Sequence, residues 1–200
     1  MEDRLQIEPR IWEACKAGNK NAYSVIYSTW YLRLFNYGKK FTADEQLIED
    51  SIQEIFTRFW FQKQKLSSVN ELQGYLLVSF RNQLLKSVQK SKSTKYTGTE
   101  FDTQSFELEL SVDQVMINAD HMYEQKVNLK QALEKLTSHQ KEAIFLKFYE
   151  NLSYDEIANV FGISTKATYK LVERAVTALR QAYKLKLASS LLSLIGFIFF

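Results

Sequence analysis

Residues 152–175 read LSYDEIANVFGISTKATYKLVERA and predict two short helices joined by a tight turn. Ser153 and Glu156 have the spacing of a capping box, so the first helix is expected to start at Ser153. Gly162 supplies the permissive backbone of the turn, and Ser164 is a favourable N-cap for the second helix. This arrangement is typical of a helix-turn-helix, whose second helix enters the major groove of DNA.

The second of these helices has two different faces when its residues are placed 100° apart. The side expected to face the core holds Thr168, Val172, Ala175, Val176 and Leu179. The opposite side holds Lys166, Ala167, Lys170, Glu173, Arg174 and Thr177. A DNA backbone attracts such a basic surface strongly. The motif alone also leaves open an ordinary helical hairpin with a solvated basic face.

The composition favours a helical protein and disfavours several other classes. One Pro and six Gly in 200 residues, with strong apolar periodicity, predict an almost all-helical chain of one or two domains. A single cysteine, Cys15, excludes a disulfide framework and a cysteine zinc site, and two histidines make a metal site improbable. No charged leader precedes an apolar run at the N-terminus, so a cytoplasmic protein is expected.

Capping boxes and periodicity together predict the helices. Four boxes have the required spacing: Thr42 with Glu45, Ser68 with Glu71, Thr137 with Gln140, and Ser153 with Glu156. The predicted helices cover residues 8–17, 20–40, 44–63, 69–92, 138–149, 153–161 and 165–186.

An acidic stretch divides the chain into two small helical domains. Residues 96–125 contain seven acids and no Lys or Arg. The first half of the stretch has the composition of a linker, while a helix from about Val112 would lead into the next domain. The predicted organisation is a domain at 1–92, a flexible acidic linker at 93–125, a helix-turn-helix domain at 126–186 and an apolar tail at 187–200. A simple solubilising spacer is the alternative for the linker.

A second basic surface precedes the linker. Between Glu71 and Glu100 the chain carries basic groups but no acid. Aromatic residues Trp60, Phe61 and Tyr75 lie nearby in sequence, and basic groups beside aromatics suit unstacked single-stranded bases. Tyr75 is also a candidate for the core. The residues predicted to contact such bases are Lys63, Lys65, Asn70, Arg81, Asn82, Lys86 and Lys90.

A third surface lies on the helix predicted at 44–63. The inward side of the helical projection holds Ile48, Ile52, Ile55, Phe56 and Phe59. The outward side holds Asp50, Gln53, Glu54, Thr57 and Phe61, with Trp60 at its edge. A polar face with exposed aromatics is more typical of a docking surface than of a solvated one.

Two blocks of the chain together resemble a known family. Residues 20–92, with Asp50-x-x-Gln53-Glu54-x-Phe56-x-x-x-Trp60, Gly74-Tyr75-Leu76 and Arg81-Asn82, are similar to domain two of bacterial sigma factors. Residues 132–183, with Leu152-Ser153-Tyr154, Gly162-Ile163-Ser164 and Arg174-Ala175, resemble domain four. The blocks have the order and spacing of the extracytoplasmic-function (ECF) branch of the sigma-70 family.

Some positions differ from the family pattern. Thr137 stands where Pro is common, and Ala167 and Thr168 stand where Thr-Val is frequent. Leu171 replaces a frequent Arg. These differences leave the expected fold intact and fall on positions that bear on promoter preference.

The resemblance implies a role in transcription initiation without catalysis. Domain two would dock on the beta-prime clamp helices of core RNA polymerase, while domain four would contact the beta flap and promoter DNA. The implied docking residues are Asp50, Gln53, Glu54, Phe56 and Trp60. The loop 62–70 and the helix after it would capture melted bases of the minus-ten element, and the acidic linker would thread toward the active-site and RNA-exit channel.

Domain four would read the minus-thirty-five duplex. The residues for this contact are Ser164, Lys166, Ala167, Lys170, Glu173 and Arg174. The resemblance implies no cofactor, metal or small-molecule substrate. It also implies an anti-sigma factor as a partner, which could hold the protein at the inner membrane.

Two other function classes compete with this interpretation. The first is a helix-turn-helix regulator that binds duplex DNA without core polymerase, and the second is a helical scaffold or inhibitor. The apolar tail at 187–200 also allows three interpretations: packing onto the sigma domains, contact with an inhibitor or other partner, or membrane association. An enzyme is disfavoured, because no phosphate-binding Gly loop, nucleophile elbow or metal-ligand cluster is found.

Overall fold

The computed structural model describes residues 7–66, 68–95, 105–108 and 129–183. The chain divides into two compact units, Met1–Thr103 and Gln104–Phe200. Every regular element in the described ranges is helical, which confirms the predicted all-α fold. The tail at 187–200 and the helix predicted from about Val112 lie outside the described residues.

The first unit is a helical bundle. Its elements are α1 (Pro9–Lys16), α2 (Lys20–Gly38), α3 (Glu45–Gln62), a 3₁₀ turn (Lys63–Lys65) and α4 (Val69–Lys95). These bounds lie within three residues of those predicted. Large side chains fill the core, and the fully buried ones include Trp12, Tyr37, Phe56, Phe59 and Phe80. The aromatic core fixes α3 against α2 and α4, so one face of α3 remains at the surface.

The start of α3 differs from the predicted capping box at Thr42 and Glu45. Asp44 is the N-cap, and its side chain accepts a hydrogen bond from the Leu47 N–H at 3.1 Å. The Thr42 hydroxyl oxygen instead accepts from the Asp44 N–H at 3.1 Å. Asp is as good an N-cap as Thr or better, so the residue nearer the helix takes the position. The predicted box was wrong, although the predicted helix is present.

Two glycines of this unit provide a matched test of its packing. A Cβ on Gly38 would lie 2.8 Å from Cγ2 of Ile48 and 3.0 Å from Cζ of Phe80, whereas one on Gly74 would meet nothing within 4 Å in the described chain. We expect Gly38→Ala to lower the free energy of unfolding by about 1–3 kcal/mol through overpacking. We expect Gly74→Ala, inside α4, to raise it by about 0.5–1 kcal/mol. Urea unfolding measures both changes, and shifts of the same sign would contradict this packing.

The second unit carries the helix-turn-helix. Its elements are α5 (residues 129–134), α6 (Ser138–Ile144), a π-helical turn (Phe145–Tyr149), α7 (Tyr154–Phe161) and α8 (Thr165–Tyr183). The capping boxes at Thr137 and Ser153 are both present, as predicted. The predicted end of the last helix at 186 lies outside the described residues.

The helix predicted at 138–149 changes its hydrogen bonding after Ile144. The Glu150 N–H donates to the Phe145 carbonyl at 3.0 Å, which is the i+5 pattern of a π turn. Asn151 then has a φ of 54°, a left-handed conformation that Asn tolerates better than most residues. The widened turn ends the helix and brings the ring of Tyr149 onto that of Phe145, with centroids 4.7 Å apart.

The segment predicted as a flexible linker at 93–125 is ordered at two places. Helix α4 continues to Lys95, three residues beyond the predicted domain end at 92. Residues 105–108 belong to the second unit, where Phe106 is fully buried. A single apolar side chain can pack onto a domain even when its neighbours in sequence are mostly polar. Sequence composition alone does not predict such a contact.

Candidate nucleic-acid interface

The turn between α7 and α8 has the geometry that its sequence predicts. Ser153 and Glu156 satisfy each other's backbone N–H groups at the start of α7. Gly162 ends α7 with a φ of 66°, and Ser164 accepts a hydrogen bond from the Ala167 N–H at 3.2 Å. The Thr165 hydroxyl donates to Asp155 at 2.6 Å. These contacts fix the start of α8 against the start of α7.

Helix α8 presents the predicted outer face to solvent. Thr168, Val172, Ala175 and Leu179 are buried, and Val176 is half-buried. The exposed residues of the helix include Lys166, Ala167, Lys170, Glu173, Arg174 and Thr177. The predicted duplex-contacting residues, Ser164 among them, therefore lie together on one exposed surface. Ser164 also caps the helix.

An aromatic and basic cluster, which the sequence analysis missed, borders this surface. The rings of Tyr154 and Tyr169 stack with centroids 3.8 Å apart, and Tyr169 is 53% exposed. The ammonium of Lys147 lies 4.6 Å from the centroid of Tyr154 and donates to the Leu152 carbonyl at 2.9 Å. We call Lys147, Tyr154 and Tyr169 the tyrosine shelf. The signal in the sequence that could have identified it is Tyr169, an aromatic residue directly before Lys170 of the predicted outer face.

The outward face of α3 is exposed as predicted. Asp50, Gln53, Glu54 and Thr57 are all exposed. Phe61, at the end of the helix, is 80% exposed, which is unusual for an aromatic side chain of this size. An apolar group next to a polar face is the pattern of a docking surface.

Glu54 links this face to α4. One of its carboxylate oxygens accepts from Arg58 at 2.8 Å, and the other accepts from the Gln83 amide. Gln83 lies on α4, so Glu54 joins two helices that the sequence analysis assigned to different contacts. Asp50 is held within α3 by the Gln46 amide at 2.9 Å.

Phe56 does not lie on the docking face to which the sequence analysis assigned it. It is only 1% exposed and packs beneath α2, where its ring centroid is 4.8 Å from that of Tyr27. The helical projection had placed Phe56 on the inward side, and this geometry is the one observed. Phe56 therefore lies beneath the outward face of α3 and cannot touch a partner there.

Trp60 lies half-buried between α2 and the 3₁₀ turn. Its ring meets Tyr23 edge-on at 5.0 Å, and the Lys63 ammonium lies 3.7 Å from its centroid. Lys63 also donates to the Trp60 carbonyl at 2.9 Å. Burial raises the pKa of the nearby Cys15 thiol, while the positive charge of Lys63 lowers it. One ring face of Trp60 is therefore already occupied by a cation.

The residues predicted to contact single-stranded bases divide into exposed and buried ones. Asn82, Lys86 and Lys90 are exposed, as a nucleic-acid contact requires, and Lys65 is exposed in the 3₁₀ turn. Arg81 is only 5% exposed, so its predicted contact with bases is not available in this structure. The side that Arg81 shares with Leu77 and Leu84 packs into the bundle. Asn70 lies within α4, but its side chain is outside the described part of the chain.

No helix in the described residues is long and apolar enough to cross a membrane. Within the same residues, no group of three or more His, Cys, Asp or Glu side chains could hold a metal ion.

Sequence comparison identifies relatives of both halves of the chain. The sequence model of the family described as "Sigma-70, region 4" matches residues 126–179, which include α5, α6, α7 and most of α8. The RNA polymerase sigma-F factor of Bacillus licheniformis is 22% identical over 171 residues. That match covers 80% of this chain, and the chain spans 66% of the relative's length.

Two solved structures share the fold. One is CnrH in complex with the cytosolic domain of CnrY, with a TM-score of 0.57 and 16% identity, covering 90% of this chain and 99% of CnrH. The other is the sigma factor RpoE in complex with the anti-sigma factor NepR from Bartonella quintana. Its TM-score is 0.53 at 18% identity, and the match covers 81% of this chain and 98% of RpoE.

Proposed function

We propose that this chain, as a sigma factor of the ECF type in the sigma-70 family, directs core RNA polymerase to promoters. Three surfaces of the chain make the proposed contacts. These are the outward face of α3, the exposed side of α4 and the outer face of α8. The observation that carries the proposal is the exposed basic face of α8 within residues that match sigma region 4.

Helix α3 is the proposed docking site for core polymerase. Asp50, Gln53 and Phe61 present two polar groups and one apolar group on the same helix, all exposed. Phe56 supports the face from within, and Glu54 positions α4 behind it. Trp60 packs against α2 at the edge of this face. The beta-prime clamp helices are the proposed contact on the polymerase, and the beta flap is the one proposed for domain four.

The proposed minus-ten surface consists of the 3₁₀ turn and the exposed side of α4. Lys65, Asn82, Lys86 and Lys90 provide charge and an amide group for a single strand. Lys63 covers one face of Trp60 at 3.7 Å, so a base stacking on that face would have to displace it. Arg81 is proposed to hold α4 in place from the buried side.

The proposed minus-thirty-five surface is the outer face of α8. Lys166, Lys170 and Arg174 recur about once per turn along it, so they can follow one groove. Ser164, Ala167 and Glu173 complete the face. Glu173, an acid in this basic surface, can accept a hydrogen bond from the N4 amino group of cytosine.

The tyrosine shelf is proposed to extend this contact to the DNA backbone. Tyr169→Ala removes the exposed ring and its stack on Tyr154, and we expect duplex binding to weaken about 3- to 10-fold without a change in sequence preference, as for backbone contacts in general. Tyr169→Phe retains the stack and isolates the hydroxyl. Fluorescence anisotropy on matched and scrambled promoter duplexes measures both. Full affinity of the alanine variant would exclude the shelf from the interface.

Transcription in vitro with purified core polymerase on genomic fragments tests the function as a whole. A defined set of promoter-specific transcripts that requires this chain is expected. If the chain binds promoter duplexes but no transcript is made, it would instead be a helix-turn-helix regulator that acts without polymerase. No observation favours that alternative.

An anti-sigma factor is a further proposed partner, because both solved relatives are described in complexes and one of the partners is named as an anti-sigma factor. Because the chain is proposed to act with core RNA polymerase, its proposed location is the cytoplasm. Retention at the inner membrane would depend on the anti-sigma factor. We assign no chemical step, cofactor or small-molecule substrate to this chain.

A further inference from the structure

Residues 105–108, Ser-Phe-Glu-Leu, belong to the second unit and lie outside its helices. Phe106 is fully buried and Leu108 is 8% exposed, whereas Ser105 and Glu107 face solvent. Alternation of buried and exposed side chains is the pattern of an extended peptide lying on an apolar surface. The segment therefore docks through two apolar side chains.

The contacts of the segment come from α6 and the π-helical turn. The ring centroid of Phe106 lies 5.7 Å from that of Phe145. The Lys141 ammonium donates to Glu107 at 2.7 Å, and the Lys141 side chain is only 11% exposed. A buried ammonium is costly without an anionic partner. Docking of the segment therefore depends on the ion pair between Glu107 and Lys141 as well as on burial of its apolar side chains.

The segment is an addition to the helix-turn-helix domain. The match to sigma region 4 begins at residue 126, well after Leu108. The core between α7 and α8 is formed by other residues, among them Ile157, Val172 and Leu179. Phe106 therefore packs onto α6 and the π-helical turn of a domain whose own helices bury their apolar faces against one another.

Docking at residues 105–108 shortens the chain that joins the two units. A fully extended chain from Lys95, the end of α4, to Ser105 spans at most about 35 Å. If these residues detach, the next described residue of the second unit is Leu129, and a chain from Lys95 to Leu129 spans at most about 120 Å. We propose that residues 105–108 are an intramolecular latch, which limits the chain to the shorter span until the segment detaches from α6 and the π-helical turn.

The latch is tested by hydrogen exchange and by distances between spin labels in the full chain. Labels at Asn36→Cys in α2 and Gln181→Cys in α8 use exposed positions, and the native Cys15 is buried. We expect protected amides at 105–108 in the parent protein. Phe106→Ala should reduce that protection at least about 10-fold and shift the label distances to longer values. Ser105→Ala is the matched control and should change neither.

Exchanging the charges of Glu107 and Lys141 distinguishes opening of the latch from unfolding of the domain. Glu107→Lys places two cations together and should open the latch, and combining it with Lys141→Glu should restore protection at Phe106. Unprotected amides at 105–108 in the parent protein, or unchanged label distances in Phe106→Ala, would overturn the proposal. Loss of protection throughout α8 in Phe106→Ala would overturn it as well, because Phe106 would then belong to the core of the domain.

Discussion

Replacing Lys170 and Arg174 together by alanine is expected to weaken binding to a minus-thirty-five duplex by roughly 30-fold or more. Both side chains are exposed on the outer face of α8, one helical turn apart, so they can reach the same groove. The loss includes counterion release, so the slope of log affinity against log salt should become shallower by about 2. Anisotropy titrations at several salt concentrations measure affinity and slope together.

The matched control for this variant removes two charges elsewhere in the same unit. Lys130 and Lys135 are exposed at the two ends of the segment around α5. Alanine at both positions changes the net charge equally but leaves α8 intact. If both double variants lose the same affinity at every salt concentration, binding follows net charge, and α8 is not the recognition helix.

The faces of α8 could be predicted because they follow from periodicity alone. Thr168 is the instructive position, since a polar residue was predicted to lie in the core and is fully buried. Its hydroxyl donates to the Ser164 carbonyl at 3.2 Å, so burial leaves this donor satisfied. A residue that can satisfy its own polar group within the helix follows the helical pattern as an apolar residue would.

Contacts between distant residues could not be predicted in the same way. Glu107 and Lys141 are 34 positions apart, and no local pattern connects them. Arg81 resembled a surface cation because the polar residues Asn82 and Gln83 follow it, yet the packing of α4 buries it. Both cases depend on which side of an element meets another element, and this is a property of tertiary packing.

The features of the candidate site also divide into those that follow from a single helix and those that depend on tertiary packing. The exposed rows on α3 and α8 were predicted residue by residue from single helices. The tyrosine shelf required knowledge of how α7 and α8 meet, because Tyr154 and Tyr169 come together only across the turn. Glu54 was predicted as a contact, and only the structure reveals its hydrogen bond to Gln83 on α4.

The second large effect is expected at the outward face of α3, the proposed docking site for core polymerase. Phe61→Ser and Asp50→Arg should each reduce co-purification with core polymerase about 10-fold or more, since loss of an exposed aromatic and a charge reversal have large effects at interfaces. Both residues are exposed, so thermal unfolding should be nearly unchanged. Pull-down of core polymerase, with the melting temperature of each variant, measures the two quantities.

Controls for the docking face must separate a lost contact from a damaged bundle. Leu32 is 62% exposed on α2, so Leu32→Ser removes a comparable exposed apolar group away from α3 and should leave the pull-down unchanged. Phe56→Ala should instead lower the free energy of unfolding by about 3–5 kcal/mol, because it leaves a cavity in the core. If Phe61→Ser binds polymerase normally while Leu32→Ser does not, the docking surface lies on α2. The outward face of α3 would then be a solvated surface with one exposed aromatic.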